Sequence, residues 1–213
     1  QSYSNSIGDV TPGSGNIICA SVGNGITIRE AMSTANKVQG NKIGINADGH
    51  ALGNSKNGIY LTYAWGGPNP GFPNTSTIGG TDASAGNVIA NNGEAGVRMD
   101  GGTGNAVLSN SICANMGLGI DLGGDGVTSN DPRDGDTGAN TLQNFPVITA
   151  AHYENNQMTI TGTFNSTPNT TFVLQFFASD GVDPSGFGEG RTLVSSTTVV
   201  TNTSGDATFQ QTI

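Results

Sequence analysis

Three groups of residues in this chain have types and spacings that could do chemistry. Tyr60, Arg98 and Asp121 each stand third in a Gly-apolar-x-apolar tetrad, with Asp100 two places beyond Arg98. A guanidinium among carboxylates can hold a polar ligand. The same charges can instead cancel as a cross-strand ion pair between Arg98 and Asp121, worth about 1 kcal/mol or less on a surface. The second group is the acidic run Asp121, Asp125, Asn130, Asp131, Asp134 and Asp136. Oxygen-rich, Gly-rich loops suit Ca2+, which accepts six to eight such ligands flexibly, and a bound ion here would stiffen a junction between domains. The spacing is not that of an EF-hand, and Asp and Gly also simply make turns in a solvated linker. The third group is the aromatic segment from Tyr63 to Pro73, which carries Trp65 and Phe72. With Tyr60 these rings could stack on a sugar, or they could fold back over apolar surface.

No nucleophilic set accompanies them. His50 and His152 fall in different halves of the chain, and no Ser/His/Asp or Cys/His grouping presents itself. The expectation is a chain without catalytic residues. Sequons at Asn74, Asn165, Asn169 and Asn202 are common in a chain rich in Ser and Thr.

These side chains must be positioned by repeats. The stretch from Ile7 to Glu30 is written again from Ile78 at a constant offset: Ile7-Gly matches Ile78-Gly, Asn16-Ile-Ile matches Asn87-Val-Ile, and Gly25-Ile-Thr-Ile matches Gly96-Val-Arg-Met. Repetition on this scale means one supersecondary unit stacked on copies of itself. The tetrads at Gly25, Gly58, Gly96 and Gly119 alternate with period two, so each reads as a short strand with one buried face. Ile26, Ile28, Ile59, Leu61, Val97, Met99, Ile120 and Leu122 point inward; Thr27, Tyr60, Arg98 and Asp121 point outward. A second recurring pair, Gly-Asn at 15–16, 40–41, 86–87 and 104–105, marks corners, with Asn able to bond its copy one rung away. Four rungs follow, at 7–35, 36–77, 78–104 and 105–125.

The texture changes after Asp125. Residues 126–144 form an acidic, Gly-rich connector, and 145–213 hold five strand patterns, at 146–153, 157–164, 171–178, 192–200 and 207–213. Five strands are fewer than the seven of an immunoglobulin-like sandwich. Either the last strands lie beyond this sequence or another chain supplies them. Both ends of the solenoid read as uncapped.

Composition bounds the partners. Charged residues make up only 11% and the net charge is -9, with seven basic residues scattered along the chain, so no nucleic-acid surface is expected. No apolar run is long enough to insert in a membrane, and the chain opens on Gln-Ser-Tyr-Ser without a basic or apolar leader. Cys19 and Cys113 fall about three rungs, or roughly 14 Å, apart, too far for a disulfide, and read as small buried residues.

These rungs resemble bacterial secreted and cell-surface proteins with right-handed parallel β-helix repeats followed by an immunoglobulin-like domain. The resemblance rests on the IGG, GNVI and GI-x-I motifs, on Gly119-Ile-Asp-Leu-Gly-Gly-Asp-Gly, on Leu142-Gln-Asn-Phe-Pro-Val147 and on Pro184-Ser-Gly-Phe-Gly-Glu-Gly190. It implies an all-β chain: a short right-handed parallel β-helix (1–125), the connector (126–144) and an incomplete immunoglobulin-like antiparallel β-sandwich (145–213). It also implies an extracellular or cell-surface location, and no reaction. Polysaccharide lyases share the β-helix, and Arg98 beside Asp121 is similar to the arginine and calcium-binding acids of a pectate-lyase-like site. The expected role is structural or adhesive, with self-association through open β edges; the alternative is glycan binding or lyase-like chemistry at Tyr60, Trp65, Phe72, Arg98 and Asp121.

Overall fold

The computed structural model describes residues 4–64, 71–82 and 84–213. The first rung comprises β1 (Ser6–Ile7), β2 (Ile17–Ile18) and β3 (Ile26–Arg29). The second comprises β4 (Lys37–Val38), β5 (Lys42–Ile43) and β6 (Ile59–Thr62), and the third β7 (Thr77–Gly79), β8 (Val88–Ala90) and β9 (Val97–Met99). The fourth holds β10 (Ala106–Leu108), β11 (Ser111–Cys113) and β12 (Ile120–Leu122). Each strand pairs in parallel with its counterpart on the next rung, which makes three four-stranded sheets around one core. Position-two columns such as Ile26, Ile59 and Val97 fill that core, as the tetrads predict. Ile120 occupies the same column but is exposed, and Leu122 is only half-buried, because they lie on the last rung.

The tetrad glycines stack as expected, and space rather than turning is the reason. A Cβ on Gly58 would lie 2.6 Å from Ile89 Cγ2 and 2.7 Å from the Gly96 carbonyl oxygen. The backbone enters the third sheet too close to the neighbouring Ile column for any side chain.

The corners are held by carboxamide ladders. Asn16 Nδ2 donates to Asn41 Oδ1 at 2.9 Å, Asn41 to Asn87 at 2.9 Å, and Asn87 to Asn110 at 2.8 Å. The fourth member is therefore Asn110 and not Asn105. Asn105 belongs to a separate ladder with Asn5, Asn36 and Ser76, where Ser76 N–H donates to Asn105 Oδ1. A third runs through Ser21, Asn54, Asn92 and Asn115.

Beyond the rungs, a left-handed turn at Ala139–Leu142 folds the connector back over the fourth rung. The remaining strands are β13 (Val147–Glu154), β14 (Gln157–Asn165), β15 (Thr171–Ala178), β16 (Thr192–Val200) and β17 (Asp206–Thr212), within a residue of the predicted spans. They form a three-stranded antiparallel sheet, β13-β14-β17, facing a two-stranded one, β15-β16. Ile160, Phe164 and Phe209 of the first meet Leu174, Phe176 and Val199 of the second.

The far end of the solenoid is capped, contrary to the sequence reading. Asn105 N–H donates to Asn140 Oδ1 at 3.0 Å, and Ser109 N–H donates to Gln175 Oε1 at 2.9 Å. Ile112 N–H donates to the Gly190 carbonyl at 2.8 Å, and Asn115 Nδ2 to Glu189 Oε1 at 2.8 Å. Connector and sandwich supply the partners that a fifth rung would. The two cysteines, on the first and fourth rungs, are unpaired and half-buried, not fully buried, since each sits on an end rung.

Asn87 Oδ1 accepts from Asn41, while its Nδ2 donates to Asn110 and to the Val38 carbonyl at 2.7 Å. Replacing it strands several buried groups at once. Asn87→Ala should lower unfolding stability by about 3 kcal/mol or more, and Asn16→Ala at the exposed ladder end by about 1 kcal/mol or less. Urea denaturation of both variants checks the ratio.

Candidate functional site

Register on the outer face of the third sheet aligns Thr27, Tyr60, Arg98 and Asp121 in one column. Strand alternation turns these side chains away from the core, and their polar groups then meet each other. Arg98 does not pair with Asp121. Its Nε donates to Asp100 Oδ1 at 2.7 Å, on the same strand edge, and its Cζ lies 5.2 Å from the Tyr60 ring centroid. Tyr60 and Thr62 hydroxyls both donate to the other oxygen of Asp100. Asp121 instead turns to its own loop, where Oδ1 accepts from the amides of Gly124 at 3.2 Å and Gly126 at 3.4 Å. Gly124 sits beside the guanidinium, where a Cβ would collide with Arg98 Cζ.

The electrostatics follow. The hydrogen bond to Asp100 raises Arg98 above its ordinary value, so it stays charged. Tyr60 is raised by burial and by Asp100. Asp121 is raised by burial, which outweighs its two amide donors and Arg98. Beside this column lies an open groove of about 320 Å³ whose walls include Asn57, Glu94, Met116, Arg98 and Asp121. Glu94 was not legible as a groove residue. It stands where Lys56 stands one rung earlier, and its Oε2 accepts from Asn57 Nδ2 at 2.6 Å.

Phe72 packs edge-on to Tyr63, with centroids 5.2 Å apart, and lies over Gly101. Trp65 lies outside the described residues. Of the five residues expected to meet a glycan, Tyr60, Arg98 and Asp121 stand in this column.

The acidic run divides in two. Asp121 stays near Arg98 with Asp125 beside it, whereas Asp131, Asp134 and Asp136 bring carboxylate oxygens within 4.8 Å of one another, an arrangement that could hold a metal ion. Asn130 is occupied elsewhere, because its carboxamide bonds both the N–H and the C=O of Phe145. The triad is fixed to the sandwich: Asp134 accepts from Asn144 N–H at 2.7 Å and from the Ser166 hydroxyl at 3.1 Å. Asp136 is raised by burial and by its two acidic neighbours, and its Oδ1 is buried without a hydrogen-bond partner. An orphaned anionic oxygen facing two more carboxylates fits a hard cation.

Comparison with protein families and with curated proteins finds no match. Among the described residues no helix is long and apolar enough to cross a membrane.

Because the folded state raises Asp121, the stability this carboxyl lends is full below its ordinary pKa and is lost as pH rises through the raised one. Asp121→Asn keeps an oxygen for the Gly124 and Gly126 amides and removes the ionisation. The variant should gain on the native protein as pH goes from about 3 to about 6. Urea titrations at both ends check it; an equal difference at the two pH values would contradict it.

Proposed function

We propose that this chain is a non-catalytic structural or adhesive module of an extracellular or cell-surface assembly: a rigid capped rod joined to a sandwich that associates through open β edges. The observation that carries the reading is β13. It is an edge strand with all eight residues exposed, Val147, Ile148 and Tyr153 among them, and none of them is Lys. Edges of this kind are templates for pairing with another chain. On the charged face of the solenoid, Arg98 and Tyr60 both bond to Asp100. In this reading calcium serves as a brace at Asp131, Asp134 and Asp136, tying the connector to the β14 end of the sandwich.

Sedimentation velocity from about 1 to about 100 µM should show growing oligomers. Two lysines on the outer face of the edge strand, Val147→Lys with His152→Lys, should suppress them. A monodisperse monomer throughout would defeat the reading. Calcium at about 1–10 mM should raise the melting temperature of the native protein, and Asp134→Asn should remove that response. No calcium-dependent shift would remove the brace while leaving the assembly reading in place.

A further inference from the structure

We propose that the sandwich contains an open strand seat, bounded by the free edge of β15 and floored by the inner face of β13, whose occupant is an extended segment, apolar at alternate residues, donated by another chain. The inference rests on the assembly reading and adds, beside the outer edge of β13, a second place where one chain would receive another.

Two independent observations meet at this place. The first is a face that points inward yet is not covered. Ile148, Ala151 and Tyr153 of β13 stand opposite Gly162, Ile160 and Met158 of β14, and directly paired residues share a face. Gly162 and Ile160 are buried, as inward residues should be, but Ile148 is 59% exposed and Tyr153 65%. The cause is unequal width. Leu174 and Phe176 of β15 close over Ile160 and Phe209, and β16 lies alongside β17, so a two-stranded sheet faces a three-stranded one. Nothing among the described strands lies over β13.

The second observation is the edge itself. β15 bonds β16 along its whole length, and among the described residues no backbone hydrogen bond reaches its other edge. A strand added there would satisfy those amides and carbonyls and, in the same step, cover Ile148 and Tyr153. Its alternate residues must be apolar to meet that floor, with polar residues between them facing out. Its length is set by the eight residues each of β13 and β15. A second copy cannot fill the seat by pairing β15 with its own β15, because the two-fold that joins those edges lays the copy's β14 on the first molecule's β13. The seat admits a single strand, not a sheet. With the chain at a net charge of -9, a donor with basic flanks is favoured.

A blocked peptide of four Thr-Val repeats between two lysines serves as the probe, with a version interrupted by proline as control. Hydrogen exchange of the full protein should slow about tenfold at the outward amides of β15 with the first peptide and not with the second. Ile148→Lys, a change at an already exposed position, should weaken that protection about fivefold or more. Unchanged exchange in β15 at saturating peptide overturns the proposal, as does protection at the outer edge of β13 instead, or protection that Ile148→Lys leaves intact. Oligomers in sedimentation without β15 protection would sink the seat alone; β15 protection in a strictly monomeric protein would sink self-assembly alone.

Discussion

A buried carboxamide that finds its partners only on the neighbouring rungs governs this rod. Asn41 shows the constraint: its oxygen accepts two bonds from Asn16, and its amide donates to Asn87 and to the Ile7 carbonyl. Remove either neighbour and a buried polar group is left without a partner, at about 1–3 kcal/mol per group. No rung is therefore stable alone, and apolar burial of the Ile columns is available only to a stack that also completes its ladders. The ladders also hold strained corners in place. Residues just before the ladder positions, Ala35, Thr75, Ala20 and Asn91 among them, adopt left-handed φ of 53–59°. Non-glycine residues tolerate that at a cost of about 1 kcal/mol each, which the bonds of the following residue offset.

The same constraint explains how the two halves are joined. The top rung offers amide donors with no fifth rung to accept them, and the connector and sandwich bring acceptors of three kinds: the carboxamides of Asn140 and Gln175, the carboxylate of Glu189 and the Gly190 carbonyl. Glu189 stands where the next asparagine oxygen would stand, and a carboxylate is the stronger acceptor. The docking is polar and directional rather than a greasy contact. Four such bonds join the rod to connector and sandwich, two of them at ladder ends, Asn105 and Asn115.

The sequence exposes the repeat because each rung needs like residues at like positions: the Ile18, Ile43, Ile89 and Ile112 column and the four tetrad glycines are visible as periodic text. The five later strands are visible because β-branched alternation and the turns at Asn155-Asn156, Pro168-Asn169 and Gly205-Asp206 mark them locally. What stays hidden is whatever depends on long separation or on fine geometry. Glu189 meets Asn115 across 74 residues, and the Pro184–Gly190 motif that holds it gives no sign of that partner. Ladder membership is misread at Asn105 because its Gly-Asn signature is the same in two different corners. Arg98 looks poised for Asp121 in the register, but only coordinates show Gly124 lying on the guanidinium and Asp100 within reach. The acidic run is legible as composition, while its division is not, since Asn130 is diverted by the Phe145 backbone.

The sandwich obeys the opposite logic from the rod. In the rod the last rung is capped at Asn105, Ser109, Ile112 and Asn115, while the sandwich keeps apolar strands at its margins with modest protection: Pro146 precedes β13, and a register shift separates Ile148 from Ala150. Both devices twist or interrupt an edge without charging it. Glu154 is the one acidic residue of the strand, so it carries little of the repulsion that a net charge of -9 imposes elsewhere on the surface. A uniformly acidic exterior keeps molecules apart in general. In the proposed assembly one weakly charged, apolar strand is then the place where approach costs least.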